Sequence, residues 1–241
     1  MTLAEPVSTA RKLTAELAGS ALLAALVVGS GIAAQRLSPG NIGLQLAENA
    51  AATAAGLFAL ILIFGPVSGA HFNPVVSLVD SAFGLRGWRE SGLYIPVQVA
   101  GCILGTILAN VMFALPAVEI SQTARITGPH FLSEVIATAG LVLVIFSLAR
   151  SGRTSWAPAA VGTYIGAAYF FTSSASFANP AITIGRMFTD TFTGIAPTSV
   201  PGYLTAQLIG GAVGFVFIRF LYPTKRAGRL VAPDLVATPM S

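Results

Sequence analysis

Charge is what this sequence has least of. Its 241 residues include 13 Lys and Arg and 9 Asp and Glu, 9% in all, where a soluble domain carries about 25%. A chain so poor in charge is not built to face water on all sides. No Lys/Arg cluster is long enough to follow a phosphate backbone, so the net charge of +4 points to membrane topology and against nucleic acid as a partner. Cysteine is nearly absent as well. Cys102 stands alone in an apolar stretch, can close no internal disulfide, and reads as packing. One cysteine and two scattered histidines offer no metal-ligand spacing. No cofactor motif or enzymatic constellation is present either.

What the chain has in abundance is apolar length, with 54% hydrophobic residues and a mean hydropathy of +0.78. Residues 1–12 are polar and end in Arg11-Lys12. Leu13 to Ala34 then runs apolar apart from Glu16. That run exceeds the roughly 7–15 residues of a signal-peptide core, so it reads as a retained first span. Asn41 to Glu48 reads as a loop. Further spans are expected at about Leu46–Phe64, ending at Gly65-Pro66, then Gly92–Ala114, His130–Ala149, a short Trp156–Thr172, and Tyr203–Leu221. The expected organisation is one compact domain over 1–241 with tails at 1–12 and 223–241. With the N-terminus inside, the inner segments hold Arg11, Lys12, Arg86, Arg89, Arg150, Arg153, Lys225, Arg226 and Arg229. The outer segments hold only Arg36, Arg125 and Arg186. That asymmetry predicts a multi-pass inner-membrane protein with both termini cytoplasmic.

Two short stretches organise the rest: Ser68-Gly-Ala-His-Phe-Asn73-Pro74-Val75 and Ser176-Phe-Ala-Asn179-Pro180-Ala181. Asn at an N-cap followed by Pro at the first helical position starts a helix sharply. From Asn73 to about Gly84, and from Asn179 to about Asp190, there is room for about 15–17 Å of helix, roughly half of a 30 Å hydrocarbon layer. A helix that begins at mid-membrane must point its free N–H groups at protein or at a water-filled path. The two stretches belong to an internal repeat. Thr14-Ala-Glu16 matches Leu132-Ser-Glu134, and Tyr94-x3-Gln98-x2-Gly101 matches Tyr203-x3-Gln207-x2-Gly210. The repeats cover about 13–114 and 130–222. Three spans per repeat is an odd number, so the second copy inserts upside down and the two Asn-Pro starts meet near the midplane. The fold class expected is all-α, six transmembrane helices plus two re-entrant half-helices.

At these residues the chain resembles the major intrinsic proteins, the aquaporin and aquaglyceroporin channels. The resemblance runs from about Leu13 to Tyr222. The first signature departs from the usual Asn-Pro-Ala only at Val75. It implies one pore per subunit, usually in a homotetramer, with Asn73 and Asn179 lining the midplane. Most members place an Arg directly after the second Asn-Pro-Ala, as part of a narrow outer filter. Here that position is Ile182, and counting from the two Asn residues puts the other filter positions at Thr53, Ala167 and Ser176. All four are small or apolar, which predicts a wide opening. The stretch from Asn179 to Phe192 is similar to that of an atypical prokaryotic branch that includes channels associated with arsenic resistance.

Other residues have two readings each. Glu16 and Glu134 are intramembrane acids, either proton relays or braces that accept hydrogen bonds from the irregular backbone before each half-helix; their matched positions, and the family, favour bracing. Gln98 and Gln207 read as interhelical hydrogen-bonding groups, with contact to the pore as the alternative. His71 is a candidate gate because imidazole titrates near neutrality, and His130 reads as a loop contact. Arg186, one turn beyond Ile182, either places positive charge at the outer mouth or snorkels to the interface. Gly101-x3-Gly105 and Gly210-Gly-x2-Gly214 read as close helix packing. The function expected is passive conduction of water and small uncharged solutes, glycerol-like or neutral metalloid species, across the lipid bilayer. The rivals are a proton-coupled secondary transporter built from inverted repeats and a structural membrane protein with a closed pore.

Overall fold

The computed structural model describes residues 7–223. The expected basic tail with Lys225, Arg226 and Arg229, and residues 1–6, lie outside them. Among the described residues there are eight α-helices and no strands: α1 (Thr9–Leu37), α2 (Ile42–Ser68), α3 (Pro74–Ala82), α4 (Trp88–Met112), α5 (Gly128–Arg150), α6 (Ala157–Phe171), α7 (Pro180–Gly185) and α8 (Val200–Leu221). Helices α1, α2, α4, α5 and α8 are long and apolar enough to cross a membrane. Helix α6 has 15 residues, about 22 Å of helix.

Helices α1, α4 and α8 start three or four residues earlier than expected, and three further differences from the sequence reading have a local cause. Helix α2 starts at Ile42 inside the expected loop, because Asn41 caps it: its Oδ1 accepts from the Leu44 N–H at 3.0 Å. It also runs through Pro66 to Ser68. A proline this close to the end removes a single ladder donor, and the last turn still closes through Gly69 N to Gly65 O at 3.0 Å. Helix α7 is shorter than expected and gives way to a 3-10 turn over Arg186–Phe188. The carbonyls that would continue it accept bonds from other segments: Arg186 O from Ile195 N, Met187 O from Ser121 N and Phe188 O from Glu119 N.

The helices close up through small residues. A Cβ at Gly101 on α4 would sit 2.5 Å from Leu17 O on α1, and one at Gly210 on α8 would sit 2.5 Å from Val135 O on α5. These are the same contact made twice, once per repeat. The outer surface is correspondingly oily, with Phe58, Leu62, Leu104, Leu108, Leu208, Val216 and Phe217 all exposed. Such a surface would associate in water and suits hydrocarbon. Lys12 pairs with Glu90 at 2.9 Å, and Arg150 Nη1 donates to Tyr222 O at 3.4 Å. These contacts mark the near end of the bundle, where both described termini lie.

Candidate functional site

Each half-helix is preceded by an irregular loop that no helix can satisfy. Gly69, Ala70 and Phe72 have φ of 91°, 50° and 48°, and their repeat partners Ala175, Ser176 and Ala178 have 56°, 47° and 48°. Non-glycine residues in this region cost about 1–3 kcal/mol each unless the surroundings hold them there. Two buried carboxylates do so. Glu16 Oε1 accepts from Ser68 Oγ at 2.6 Å and His71 N at 3.0 Å, and its Oε2 accepts from Phe72 N and Gln98 Nε2, both at 2.8 Å. Glu134 accepts from Ser174 Oγ at 2.6 Å, Phe177 N and Ala178 N at 2.9 Å, and Gln207 Nε2 at 2.7 Å. The glutamines are tied down in turn, Gln98 to Ser77 Oγ at 3.0 Å and Gln207 to Thr183 Oγ1 at 2.9 Å. All four oxygens are engaged, which fits the brace reading and leaves no lone pair directed at a path.

The loops meet through their asparagines. Asn73 Oδ1 accepts from Val75 N at 3.0 Å and Asn179 Oδ1 from Ala181 N at 2.9 Å, so each side chain caps its own half-helix. Each amide nitrogen then crosses to the other repeat. Asn73 Nδ2 donates to Ala178 O at 2.8 Å, and Asn179 Nδ2 donates to Phe72 O at 2.7 Å. A side-chain amide has two N–H donors, so one on each Asn is left beyond this clasp.

Both asparagines line a cavity of about 180 Å³. It begins at the near end beside Asp80, Leu85, Ala149 and Ala157, and reaches Tyr169 and Arg186 at the far end. Its walls are apolar and come from helical four-residue steps: Leu23 and Val27 on α1, Leu57 and Ile61 on α2, Leu141 and Ile145 on α5, Val161 and Ile165 on α6. A wider vestibule of about 670 Å³ opens at the far end, and Tyr169 and Arg186 line it too. These two residues therefore stand where vestibule and cavity join.

The expected filter residues are not all brought together. Thr53, Ser176 and Ile182 line the cavity, and Thr53 Oγ1 lies 3.2 Å from the Tyr169 hydroxyl. Ala167 does not line it. It sits on the exposed face of α6, because the lining series 157, 161, 165 and 169 leaves residue 167 about half a turn away. Tyr169, missed in the sequence, takes the lining position, and the four-residue steps along α6 are the signal that could have found it. Nor is the junction without arginine. Arg186 is 5% exposed, its Nε donates to Thr193 O, and its guanidinium lies 3.4 Å from the centre of the Phe177 ring. The chain is bent here by the 3-10 turn, which brings a side chain one turn beyond Ile182 to the junction of vestibule and cavity.

The near end carries a network that the sequence reading treated only as loop charge. Arg86 donates to Asp80 at 3.1 Å, Glu90 at 2.6 Å, Tyr94 Oη at 2.8 Å and Ser68 O at 3.0 Å. Burial works against its charge, but Tyr94, Glu90 and Asp80 together hold its pKa above the ordinary arginine value. His71 also lines the cavity, with Nδ1 at 3.0 Å from Ser77 Oγ and Nε2 at 3.6 Å from Asp80. At the far end, burial lowers the pKa of Arg125; it donates to Gly194 O at 2.6 Å and Phe192 O at 2.7 Å. His130 is a loop contact, its Nδ1 against Arg125 O. Cys102 is buried, and its thiol lies 3.6 Å from Ser20 O.

Two inverted half-helices clasped by asparagines over a membrane-depth cavity define a pore of the aquaporin kind. The family comparison agrees: the model for "Major intrinsic protein" matches residues 4–178, and the chain belongs to that family of channels for water and small solutes. It is 46% identical to Aquaglyceroporin AqpS of Rhizobium meliloti over 226 residues, covering 93% of this chain and 96% of that protein. It is 28% identical to Probable aquaporin NIP7-1 of Arabidopsis thaliana, covering 87% of this chain and 76% of the relative. The fold is similar to the X-ray structure of the aquaglyceroporin from Plasmodium falciparum, with a TM-score of 0.69 and 24% identity over 88% of this chain and 96% of that one.

Proposed function

We propose that the pore conducts neutral solutes from water to glycerol in size, with neutral metalloid hydroxides within its range, through the Asn73–Asn179 clasp. The observation that carries this is the reciprocal bonding of the two amides across the repeats. It fixes one N–H of each Asn and leaves the other for a passing hydroxyl, at the point where both half-helices present their positive ends. A cation meets a barrier there, whereas a neutral molecule exchanges hydrogen bonds. Thr53, Tyr169, Ser176, Ile182 and Arg186 form the far-end constriction in this reading. It is narrower and more polar than four small residues would make it, with Ile182 facing the carbon edge of a polyol and Arg186 its hydroxyls. The orientation that fits the loop charges puts the near end, and both termini, in the cytoplasm of an inner-membrane protein, with Arg186 at the outer mouth. The exposed apolar helices suit lipid and neighbouring copies in a homotetramer. Stopped-flow measurements on proteoliposomes against water, glycerol, urea and arsenous acid test the solute range; zero flux for every neutral solute would remove the reading.

A further inference from the structure

The two mouths differ in how their arginines are balanced. At the near end Arg86 has Asp80 and Glu90. At the far end neither Arg186 nor Arg125 is paired with a carboxylate among the described residues. Yet both guanidinium groups pack on one aromatic ring, at 3.4 Å and 5.7 Å from the Phe177 centre, and both line the vestibule. Each holds its place through backbone carbonyls: Arg186 through Nε alone, Arg125 through Nε and Nη2. Both terminal nitrogens of Arg186, and Nη1 of Arg125, have no acceptor among the described residues. Arg186 is nonetheless almost fully buried. Asp190 also lines the vestibule, but its Oδ1 accepts from Gln122 N and Ser121 Oγ. Tyr203, whose ring meets Phe177 edge-on at 5.0 Å, is buried with its hydroxyl unpartnered.

We propose that the vestibule is a binding site for a tetrahedral oxyanion of the phosphate or sulfate type, held by Arg186 and Arg125, and that its occupancy closes the far entrance to neutral solutes. Adjacent guanidinium groups in a partly dry site repel one another, and a doubly charged ligand with several acceptor oxygens relieves that repulsion. Planar guanidinium forks also match an oxyanion in geometry, bidentate and charge-assisted. Chloride offers neither the oxygens nor the second charge. Closure follows from position, since Arg186 and Tyr169 line both vestibule and cavity and an anion on Arg186 stands at their junction. The closing half of the proposal rests on the channel reading, whereas the binding half does not.

The test has two arms. Purified protein in detergent, without added lipid, is titrated with sodium sulfate or phosphate and, at matched ionic strength, with sodium chloride while the melting temperature is followed. A saturable rise with the oxyanions alone is expected. It should be lost in Arg186→Gln and Arg125→Gln, each compared with itself in chloride, and partly kept in Arg125→Lys. In proteoliposomes, sulfate on both faces should slow glycerol flux saturably in the wild type and leave Arg186→Gln unaffected. An equal rise with chloride, or a rise retained in both Gln variants, overturns the site. Saturable binding with undiminished glycerol flux overturns the closure. Absence of any flux with the melting shift intact would count against the channel reading and not against the site.

Discussion

Asp80 and Arg186 hold the same place in the two halves of the chain, seven residues after Asn73 and Asn179 respectively, and line opposite ends of one cavity. The pseudo-two-fold that superposes the asparagines, the bracing glutamates and the glutamines thus exchanges an acid for a base at the mouths. His71 and Phe177 are exchanged in the same way, and Tyr94 and Tyr203 stack on them edge-on at 5.7 Å and 5.0 Å. The middle of the pore is symmetric and its ends are not, so solute passage is attributed to the middle and sidedness to the ends.

The braces give the first prediction. Glu16→Ala leaves Ser68, His71, Phe72 and Gln98 without their acceptor. At about 1–3 kcal/mol for each buried unpaired donor, the left-handed loop should collapse, with a large fall in melting temperature in detergent. Glu16→Gln keeps one acceptor oxygen and should lose less. Glu134 variants should behave alike; unchanged melting and flux in both alanine variants would refute bracing.

The second concerns the clasp. Asn73→Asp with Asn179→Asp retains both caps but sets a carboxylate against Ala178 O and Phe72 O, where a donor stood. Removing two donors and adding negative charge where two positive helix ends meet should lower the cation barrier. Proton and sodium leak, measured with a pH dye and by isotope uptake, should rise above that of the wild type. A folded double variant as tight as the wild type would refute the midplane barrier.

The third separates two residues of α6. Tyr169→Ala should widen the junction and raise the flux of polyols larger than glycerol, since the ring lines both spaces. Ala167→Phe adds a bulky ring two residues away, on the exposed face, and should leave the glycerol-to-water permeability ratio unchanged. Strong glycerol restriction by Ala167→Phe would put residue 167 in the path after all.

The fourth concerns packing. Gly101→Ala and Gly210→Ala each push a methyl to 2.5 Å from a backbone oxygen. Backbone cannot swing away as a flexible side chain can, so each should destabilise by about 1–3 kcal/mol. Equal losses in the two variants, read by thermal melting, would reflect the repeat.

Much of this was legible because it rests on local rules. Asn-Pro pairs start helices, a charge-poor sequence with long apolar runs crosses a bilayer, and an odd number of spans inverts the second repeat; residues 73 and 179 follow from these. What was not legible depends on angle and on distant partners. Counting along the chain put Ala167 in the filter, but the helical face decides, and α6 turns residue 169 inward. Ile182 suggested a filter without arginine, and left Arg186 either at the outer mouth or snorkelling, because the sequence does not show that residues 119, 121 and 195 draw the 186–188 carbonyls into a tight turn. That turn carries Arg186 to the junction of cavity and vestibule. Arg86 was likewise only a loop charge until α3 and α4 set Asp80 and Glu90 beside it.

The central claim is that a neutral solute passes the Asn73–Asn179 clasp while charge is held back. The most direct measurement is stopped-flow glycerol flux in proteoliposomes, with proton permeability followed in the same vesicles. The account predicts glycerol flux well above that of empty vesicles, independent of any imposed pH gradient, with proton leak at the lipid background. Glycerol uptake that needs or dissipates a proton gradient, or glycerol flux no faster than through bare lipid, would contradict it.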